Sequence, residues 1–499
     1  MLLNIDKSSS TPAYKRIVEE IKNLINQGTL ETGKPLPSSR SLAQKLGVNR
    51  STVYQAYAEL QAQGYLQSRP GSYNIVQKRR KEAAYNPKSR SLISWEKASS
   101  SEAKRLYETF LCYSPERPKS SKLSDQFISL AALDPDPRLY PLEDFRKCLN
   151  TVLLNSGTES LQYGTYKGYR PLCEHIAQRL RLHGISVSDE EILITNGAQQ
   201  GIDLVARVLG GPNKKAVVES PTYANVIPLL DFNGFKILGV PMKQNGMDLG
   251  ALEKILDREN VSFVYTIPNF QNPTGITTSH YHREKLLNIC LEHRVPIVED
   301  GFEEDMKYFG KVDLPIKSID DNNIVIYLGT FSKALFPGLR IGWITADKEL
   351  IQRIAAIKRF ADLTSSNLAQ IVMHYFCQQG FYDRHLKRLH RVFRRRMQVA
   401  LKALEKYLPS TVSWTRPVGG YTLWVKMPRK LNEVDLHEQL LAHGVTVSPG
   451  GYYFPNQHSS EYFRLSIARL NEQEIEEGIK RLGKALHKLF KPSGPERRA

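Results

Sequence analysis

The N-terminal segment spaces its apolar side chains three or four positions apart, as amphipathic helices do. In AYKRIVEEIKNLINQG these positions are Tyr14, Ile17, Val18, Ile21, Leu24 and Ile25. Gly28 follows and ends the predicted helix. Two shorter helices are predicted next, around a turn at Gly47, and the buried face of the second consists of Val53, Ala56, Tyr57 and Leu60. Two strand-like runs around residues 69–71 predict a β-hairpin.

From about residue 160 the pattern changes to short apolar runs separated by stretches of helical length. The runs are EILIT, KAVVE, VSFVYTI, VPIVED and NIVIYLG. This alternation predicts an α/β domain with a mostly parallel sheet covered by helices on both faces. Ligands bind such sheets at the carboxyl ends of the strands, so polar residues there are candidates for a site. The segments RPVGGYTLWVKMP and GVTVSPGGYYF predict strands of a smaller C-terminal α+β domain.

Between these regions the periodic pattern stops. The span is basic in QKRRKEAAYNPKSRS and rich in Ser, Pro and Lys in SPERPKSSKLSD. We expect a tether there with one short helix in SSEAKRLYETFLCY. The predicted organisation is therefore a small domain over residues 10–78, a linker over 79–125 and a large domain over 126–490.

The composition is that of a folded globular protein, with 41% hydrophobic and 24% charged residues. The formal net charge of +18 favours a polyanionic partner. Nucleic acid is preferred to membrane, because no apolar run approaches the length of a spanning helix. The N-terminal stretch has no apolar segment of signal-peptide length, and the five cysteines form no close pair. We therefore expect a cytoplasmic protein with reduced thiols and no metal site.

The N-terminal pattern of helix, helix-turn-helix and hairpin predicts a winged helix-turn-helix, which is mainly α. The segment LPSSRSLAQKLGVNRSTVYQAYAELQAQGYLQSRPGS resembles the GntR family of bacterial repressors. The resemblance implies double-stranded operator DNA as the partner, with contacts from Arg40, Arg50, Ser51, Thr52, Arg69 and Gly71. The alternative is a three-helix packing module without DNA. The basic run at 78–81 has two open interpretations, a contact with phosphates and a solvated surface.

Polar residues follow the predicted strands of the large domain. Gly197 leads into a helix, whose first N–H groups, at Ala198 and Gln199, are suited to a phosphate. Asn272 offers an amide after the third run. Asp300 ends the fourth run, where a carboxylate is either a helix cap or a catalytic partner.

The stretch YLGTFSKALFPGLRIGW brings together Thr330, Ser332, Lys333 and Arg340. A solvated loop with two ordinary cations is one explanation. A site that binds a phosphate and presents an amine for covalent chemistry is the other.

In this order, the motifs resemble the fold type I aminotransferases that use pyridoxal 5′-phosphate. A GntR-like module in front of such a domain resembles the MocR subfamily of transcriptional regulators. The resemblance implies that Lys333 forms a Schiff base with the cofactor, Asp300 faces its pyridine nitrogen and Asn272 bonds its phenolic oxygen. It assigns the phosphate to a set consisting of Arg340, Thr330, Ser332, Ala198 and Gln199.

The same resemblance suggests roles for three further residues. Tyr223 matches an aromatic residue that stacks on the cofactor ring, with a core tyrosine as the alternative. Tyr163 matches a tyrosine that reaches the phosphate of the neighbouring subunit, which implies a homodimer, head-to-tail in this subfamily. Arg464 matches the arginine that binds an amino-acid carboxylate, with a surface ion pair as the alternative.

Phe302 departs from the subfamily pattern, which commonly has a tyrosine there that also bonds the phenolic oxygen. Without that donor we expect ligand sensing to be favoured over efficient turnover. The leading hypothesis is a transcriptional regulator that senses an amino-acid-like effector, or the cofactor itself, through aldimine chemistry. The alternative is a working aminotransferase with an accessory DNA-binding module. DNA binding with an empty enzyme domain is disfavoured, because the cofactor-binding residues occur together.

Overall fold

The computed structural model describes residues 11–69, 73–77, 93–113, 127–211, 213–302, 304–310, 313–455 and 460–490. The chain divides into two compact units at residue 98. Among the described residues, the N-terminal unit is built around one buried apolar cluster and the second unit around three.

The N-terminal unit has the predicted helices and hairpin. Its elements are α1 (Ala13–Asn26), α2 (Ser39–Leu46), α3 (Arg50–Ala62), β1 (Leu66–Arg69), β2 (Tyr73–Val76) and α4 (Trp95–Ala98). Ser38 caps α2 by accepting the Ser41 N–H at 3.2 Å. Gly47 ends α2 in the left-handed region, at φ 66°, where a residue without Cβ is favoured. The apolar faces of α1 and α3 meet in the core, and β1 pairs antiparallel with β2. The winged helix-turn-helix is therefore confirmed.

The second unit contains the remaining helices and strands. The helices are α5 (Ser101–Tyr113), α6 (Leu142–Ser156), α7 (Arg170–Leu182), α8 (Ala198–Leu209), α9 (Val226–Phe232), α10 (Leu249–Leu256), α11 (His280–Glu292), α12 (Lys348–Asp362), α13 (Asn367–Gln378), α14 (Phe381–Tyr407), α15 (Glu433–Ala442) and α16 (Glu472–Phe490). The strands are β3 (Ile128–Ser129), β4 (Ile192–Thr195), β5 (Lys215–Ser220), β6 (Lys236–Lys243), β7 (Gly246–Met247), β8 (Val261–Thr266), β9 (Ile297–Asp300), β10 (Val325–Thr330), β11 (Gly342–Thr345), β12 (Ser413–Trp414), β13 (Thr422–Lys426), β14 (Val445–Thr446), β15 (Ser448–Pro449) and β16 (Tyr462–Ser466).

The central sheet has eight strands in the described part of the chain, in the order β4-β11-β10-β9-β8-β5-β6-β7. The run from β10 to β6 is parallel, whereas β11 and β7 are antiparallel to their neighbours. All five predicted strands lie in this sheet, which confirms the α/β fold class with a mostly parallel sheet. The sequence analysis did not identify β6, β7 and β11.

A smaller antiparallel sheet forms the C-terminal part, in the order β12-β13-β16-β15. The long helix α14 packs against α16 beside this sheet, and β3 pairs with β14. The helix predicted within 79–125 is present as α5. It is tied to α9 by an ion pair of 3.1 Å between Arg105 Nε and Asp231 Oδ2. The smaller α+β part is therefore confirmed as well.

The sheet register brings the candidate polar residues to one edge. Asp300 of β9 lies opposite Leu328 of β10, two residues before Thr330. Thr266 of β8 lies opposite Glu299 of β9. Because these strands run parallel, the segments that follow them leave the sheet at the same edge.

Candidate functional site

A cleft of about 700 Å³, including its open mouth, lies at this edge of the sheet. The predicted residues that line it are Ala198, Gln199, Tyr223, Asn272, Asp300, Thr330, Ser332, Lys333 and Arg340. The structure thus brings together residues that are far apart in sequence. Leu133 and Asp134 also line the cleft and were not predicted.

Asp300 is buried at the floor of the cleft. Its Oδ2 accepts a hydrogen bond from the Tyr265 hydroxyl at 2.6 Å, and its Oδ1 has no partner in the described part of the chain. Burial raises the pKa of Asp300 to about 6, although the hydrogen bond from Tyr265 and the charge of Lys333 act in the opposite direction. An unpaired buried carboxylate oxygen fits a ligand that presents an N–H donor.

Lys333 follows β10 and points its amine to the same cleft, where Nζ donates to the Leu133 carbonyl at 3.2 Å. Thr330 Oγ1 shapes the turn, because it accepts the Ser332 N–H and donates to the Ile341 carbonyl, both at 3.1 Å. The Ser332 hydroxyl is buried and has no partner among the described residues. It is therefore a second polar group that a ligand would satisfy.

One end of the cleft is suited to an anion. Arg340 Nη2 donates to the Asn196 carbonyl at 2.9 Å, which holds the guanidinium beside the start of α8. A Cβ at Gly197, whose φ is +82°, would lie 2.5 Å from Arg340 Nη2. Glycine is required there for this close approach as well as for its backbone conformation. The first N–H groups of α8, at Ala198 and Gln199, add to the positive potential.

Tyr223 forms a wall of the cleft. Its hydroxyl donates to Gln199 Oε1 and accepts from Asn225 Nδ2, both at 3.0 Å. Burial raises the pKa of Tyr223 to about 12, so the phenol stays neutral. These two contacts hold the ring in place at the wall of the cleft.

Arg464 of β16 joins the small domain to the cleft. Its Nη1 donates to Asn272 Oδ1 at 3.1 Å and its Nη2 to the Ala131 carbonyl at 2.7 Å. The guanidinium is buried, its Nε has no partner within the described ranges, and Tyr453 lies 5.4 Å from it. The alternative of a surface ion pair is wrong. Because Asn272 gives its oxygen to Arg464, its Nδ2 donor remains available to a ligand.

The sequence analysis did not identify Glu219, although an acidic residue at the end of the apolar run KAVVE indicates a buried carboxylate. Its carboxylate is fully buried and accepts from the Thr266 hydroxyl at 2.6 Å and from Gln271 Nε2 at 2.9 Å. Gln271 in turn accepts the Thr274 N–H at 2.9 Å. Burial raises the pKa of Glu219 to about 7. This network holds the loop that carries Asn272.

Phe302, Thr330 and Lys333 line both the cleft and a second cavity of about 450 Å³. Asp305 in that cavity accepts from Arg179 and from Tyr382, each at 3.2 Å, so its charge is compensated within the fold. The phenyl ring of Phe302 offers no hydrogen-bond donor to either side.

Tyr163 is not in the cleft. Its side chain is 84% exposed and borders a separate open hollow formed with residues 364–368. In the structure of a single chain it makes no contribution to the site around Lys333.

The predicted DNA-contacting residues lie at the helix-turn-helix. Arg40, Arg50 and Ser51 are exposed, and Thr52 is half-buried in the first turn of α3. Neither Arg40 nor Arg50 has an ion-pair partner in the ranges that the structure covers. The Arg69 side chain, Gly71 and the basic run at 78–81 lie outside the described residues.

The described residues contain neither a membrane-spanning helix nor a metal-binding group. None of the helices there is long and apolar enough to cross a membrane. No group of three or more His, Cys, Asp or Glu side chains is arranged there to hold a metal ion.

Two family models match the chain. Residues 127–482 match "Aminotransferase class I and II", and residues 13–73 match "Bacterial regulatory proteins, gntR family". The 2-aminoadipate transaminase of Thermus thermophilus is 38% identical over 73% of this chain and 91% of its own length. The uncharacterized HTH-type transcriptional regulator YdfD of Bacillus subtilis is 30% identical over 97% of this chain and 98% of its own.

A solved structure agrees with these matches. The α-aminoadipate aminotransferase LysN of Thermus thermophilus, complexed with N-(5′-phosphopyridoxyl)-L-leucine, superposes with a TM-score of 0.73 at 34% identity. The superposition covers 80% of this chain and 99% of LysN.

The cofactor of this domain is pyridoxal 5′-phosphate, and the cleft fits it. Asp300 Oδ1 suits the ring nitrogen, and the amine of Lys333 suits the aldehyde. The Ser332 hydroxyl and the anion end at Arg340 suit the phosphate. The chain belongs to the class I and II aminotransferase family and carries a GntR-family DNA-binding module in front of that domain, the arrangement of the MocR subfamily of transcriptional regulators.

Proposed function

We propose that this protein is a pyridoxal-phosphate-dependent transcriptional regulator that senses an amino-acid-like effector in the cleft and binds operator DNA through α3. The observation that carries the proposal is the buried contact between Arg464 and Asn272. This contact supports the proposal because Arg464, whose Nε has no partner among the described residues, lies next to Asn272, and the same chain presents exposed cations on a helix-turn-helix.

The residues of the cleft divide the work of holding the cofactor. When bound, pyridoxal phosphate supplies an aldehyde that condenses with amines and a ring that accepts electrons. Lys333 provides the amine for attachment, oriented by the Leu133 carbonyl. Asp300 would accept a hydrogen bond from the ring nitrogen, and Asn272 would donate one to the phenolic oxygen.

The phosphate and the ring face have their own residues. Arg340 and Ser332, with the N–H groups of Ala198 and Gln199, would hold the phosphate, and Thr330 would support it by ordering the turn that carries Ser332. A guanidinium suits this role because its fork pairs with two oxygens. Tyr223 packs on the ring, with its hydroxyl held by Gln199.

Arg464 selects an effector that carries a carboxylate next to its amine. A carboxylate that entered the cleft would gain a charge-assisted hydrogen bond from Nε, which is buried without a partner among the described residues. Phe302 favours sensing over turnover, because the phenolic oxygen receives one side-chain donor, Asn272, where a tyrosine would add a second.

A homodimer is part of the proposal. The exposed apolar side chains Leu161, Tyr163, Phe360 and Leu363 border the hollow at residues 364–368 or the adjoining end of α12. A second copy that covered this patch would bring Tyr163 to the partner's phosphate end, in the head-to-tail arrangement of the subfamily. The two recognition helices would then read paired half-sites.

A working aminotransferase is the second candidate, favoured by a set of core cofactor-binding residues that lacks only the tyrosine replaced by Phe302, and by the 38% identity to a transaminase. One experiment separates the two. Amino acids and then a keto acid are added to the purified holoprotein while its visible spectrum is recorded. A regulator gives one spectral change that stops, whereas steady conversion with the keto acid supports the enzyme and contradicts sensing.

A further inference from the structure

Helix α14 carries a row of cations on one face. These residues are Arg384, Lys387, Arg388, Arg391, Arg394 and Arg395. They recur at intervals of three and four positions, so they lie along one side of the helix, and all of them are exposed. The opposite side is buried through Tyr382, Leu389 and Phe393.

The row has no acidic counterpart. None of the six forms an ion pair in the part of the chain that the structure describes, and the sequence has no acidic residue between Asp383 and Glu405. Arg384 and Arg394 are instead stacked on Phe381 and Phe309, at 5.2 and 5.1 Å. These contacts orient the guanidinium groups without neutralising them.

Helix α16 shows what a merely solvated helix of this protein looks like. There Glu477 pairs with Arg481 at 2.9 Å and with Lys480 at 3.6 Å, so neighbouring charges compensate one another. Like charges three or four positions apart destabilise a helix instead. The uncompensated row on α14 is therefore not accounted for by helix stability or packing.

The dimensions and chemistry of the row match a nucleic acid backbone. From residue 384 to 395 the helix advances about 17 Å, and duplex DNA carries about one negative charge per 1.7 Å of its axis. Five of the six cations are arginines, whose planar fork pairs with two phosphate oxygens.

We propose that this row is a second DNA-contacting surface, which binds the phosphates of duplex DNA independently of sequence. The inference rests on the proposed function, since it assumes that the protein operates on DNA. It adds a surface outside the GntR-type module, and this surface supplies affinity whereas α3 supplies specificity.

The same helix contacts the ligand cleft on its other side. His385 Nε2 hydrogen-bonds the Ala334 carbonyl at 2.8 Å, one residue after Lys333. Phe393 packs edge-on against Tyr421 at 4.6 Å, and Tyr421 donates to the Lys333 carbonyl at 2.9 Å. A ligand that shifts the Lys333 backbone would thus act on the helix that carries the row.

The test compares two full-length variants with equal loss of charge. The first is Arg388→Gln/Arg391→Gln/Arg395→Gln, and the control is Lys254→Gln/Lys484→Gln/Lys488→Gln, at exposed lysines on α10 and α16. Binding to a fluorescein-labelled duplex of arbitrary sequence is followed by anisotropy between about 50 and 200 mM salt. Losing three phosphate contacts should lower the slope of log K against log salt by about 2.7 and weaken binding at least roughly tenfold. The control should match the wild type.

Several outcomes would overturn the inference. If the row variant binds DNA like the control, while Arg50→Ala weakens binding, the row is wrong and the proposed function stands. If the row variant loses the dimer in light scattering, the row is a subunit contact. If the row variant keeps its duplex affinity but no longer binds vesicles that contain phosphatidylserine, the row is a membrane contact. If the wild type binds no duplex, the DNA-binding function and the row fail together.

Discussion

The cleft around Lys333 and the recognition face of α3 use charge in opposite ways. In the cleft, Asp300 and Arg464 are buried, each with one atom that has no partner among the described residues. On α3, Arg50 is exposed to water. A buried polar group without a partner costs about 1–3 kcal/mol, whereas an exposed cation loses little by standing alone. The cleft is therefore shaped for a small ligand that completes it, and the module for a polyanion that displaces counterions.

Lys333→Ala should have the largest effect, because it removes the amine to which the cofactor attaches in the cleft. We expect no covalent attachment of pyridoxal phosphate, seen as no gain in mass after reconstitution and borohydride reduction, because no other amine lines the cleft in the described part of the chain. DNA binding in anisotropy should remain measurable. Lys254→Ala, an exposed lysine, is the control. A gain in mass by one reduced cofactor in Lys333→Ala would place the attachment elsewhere.

Glu219→Gln tests how burial tunes the cleft. Folding raises the pKa of Glu219 to about 7, so the folded chain binds this proton more tightly than the unfolded chain. As the pH rises from about 4.5 to 7 the wild type should lose on the order of 3 kcal/mol more stability than the amide, because Asp300, whose pKa is also raised, titrates in both proteins. Urea unfolding of the apoprotein at about pH 5 and 8 measures the difference. Parallel changes in wild type and variant, as expected for the exposed control Glu253→Gln, would refute it.

Arg464→Gln tests selection of the carboxylate. We expect affinity for an effective amino acid to fall about 100-fold, the loss of a charged hydrogen bond in a buried site. Affinity for the matching amine without a carboxylate should change little. Spectral titration of both compounds gives the two ratios. An equal loss for both would show that Arg464 supports the fold of the cleft and not the ligand.

Arg50→Ala tests the contribution of α3 to DNA binding. Loss of a contact from the recognition helix should weaken binding to a preferred duplex by about 1–3 kcal/mol, with the visible spectrum unchanged. The salt slope should fall by less than about one. If the cofactor spectrum changed equally in a folded variant, the separation between the two regions would be wrong.

Phe302→Tyr is expected to have the smallest effect, because it adds one donor to an otherwise complete cleft. A second donor to the phenolic oxygen should stabilise its anion by about 1 kcal/mol and lower the pH midpoint of the visible band by less than about one unit. Single-turnover conversion of an amino acid should become faster. A wild type that already turns over at the rate of the variant would contradict the role given to Phe302.

The sequence was informative where a local pattern determines structure. The apolar runs located β4, β5, β8, β9 and β10, and the motif from Thr330 to Arg340 located residues that line the cleft. Strand β11 was missed because its four residues GWIT form no run, and β6 because Lys236, Gly239 and Pro241 interrupt it. The contact between Arg464 and Asn272 joins residues 192 positions apart, so only the fold brings it about. The apolar run KAVVE indicates that Glu219 is buried. It does not identify Thr266 and Gln271 as the hydrogen-bond partners of Glu219.

The most direct test of the account measures both sites at once. A duplex selected by the holoprotein from a random pool is titrated with and without an amino acid that shifts the visible spectrum, and the amino acid is titrated with and without the duplex. The account predicts that each ligand changes the affinity of the other by the same factor, as linkage requires. No change in DNA affinity, together with continuous conversion of the amino acid in the presence of a keto acid, would contradict it.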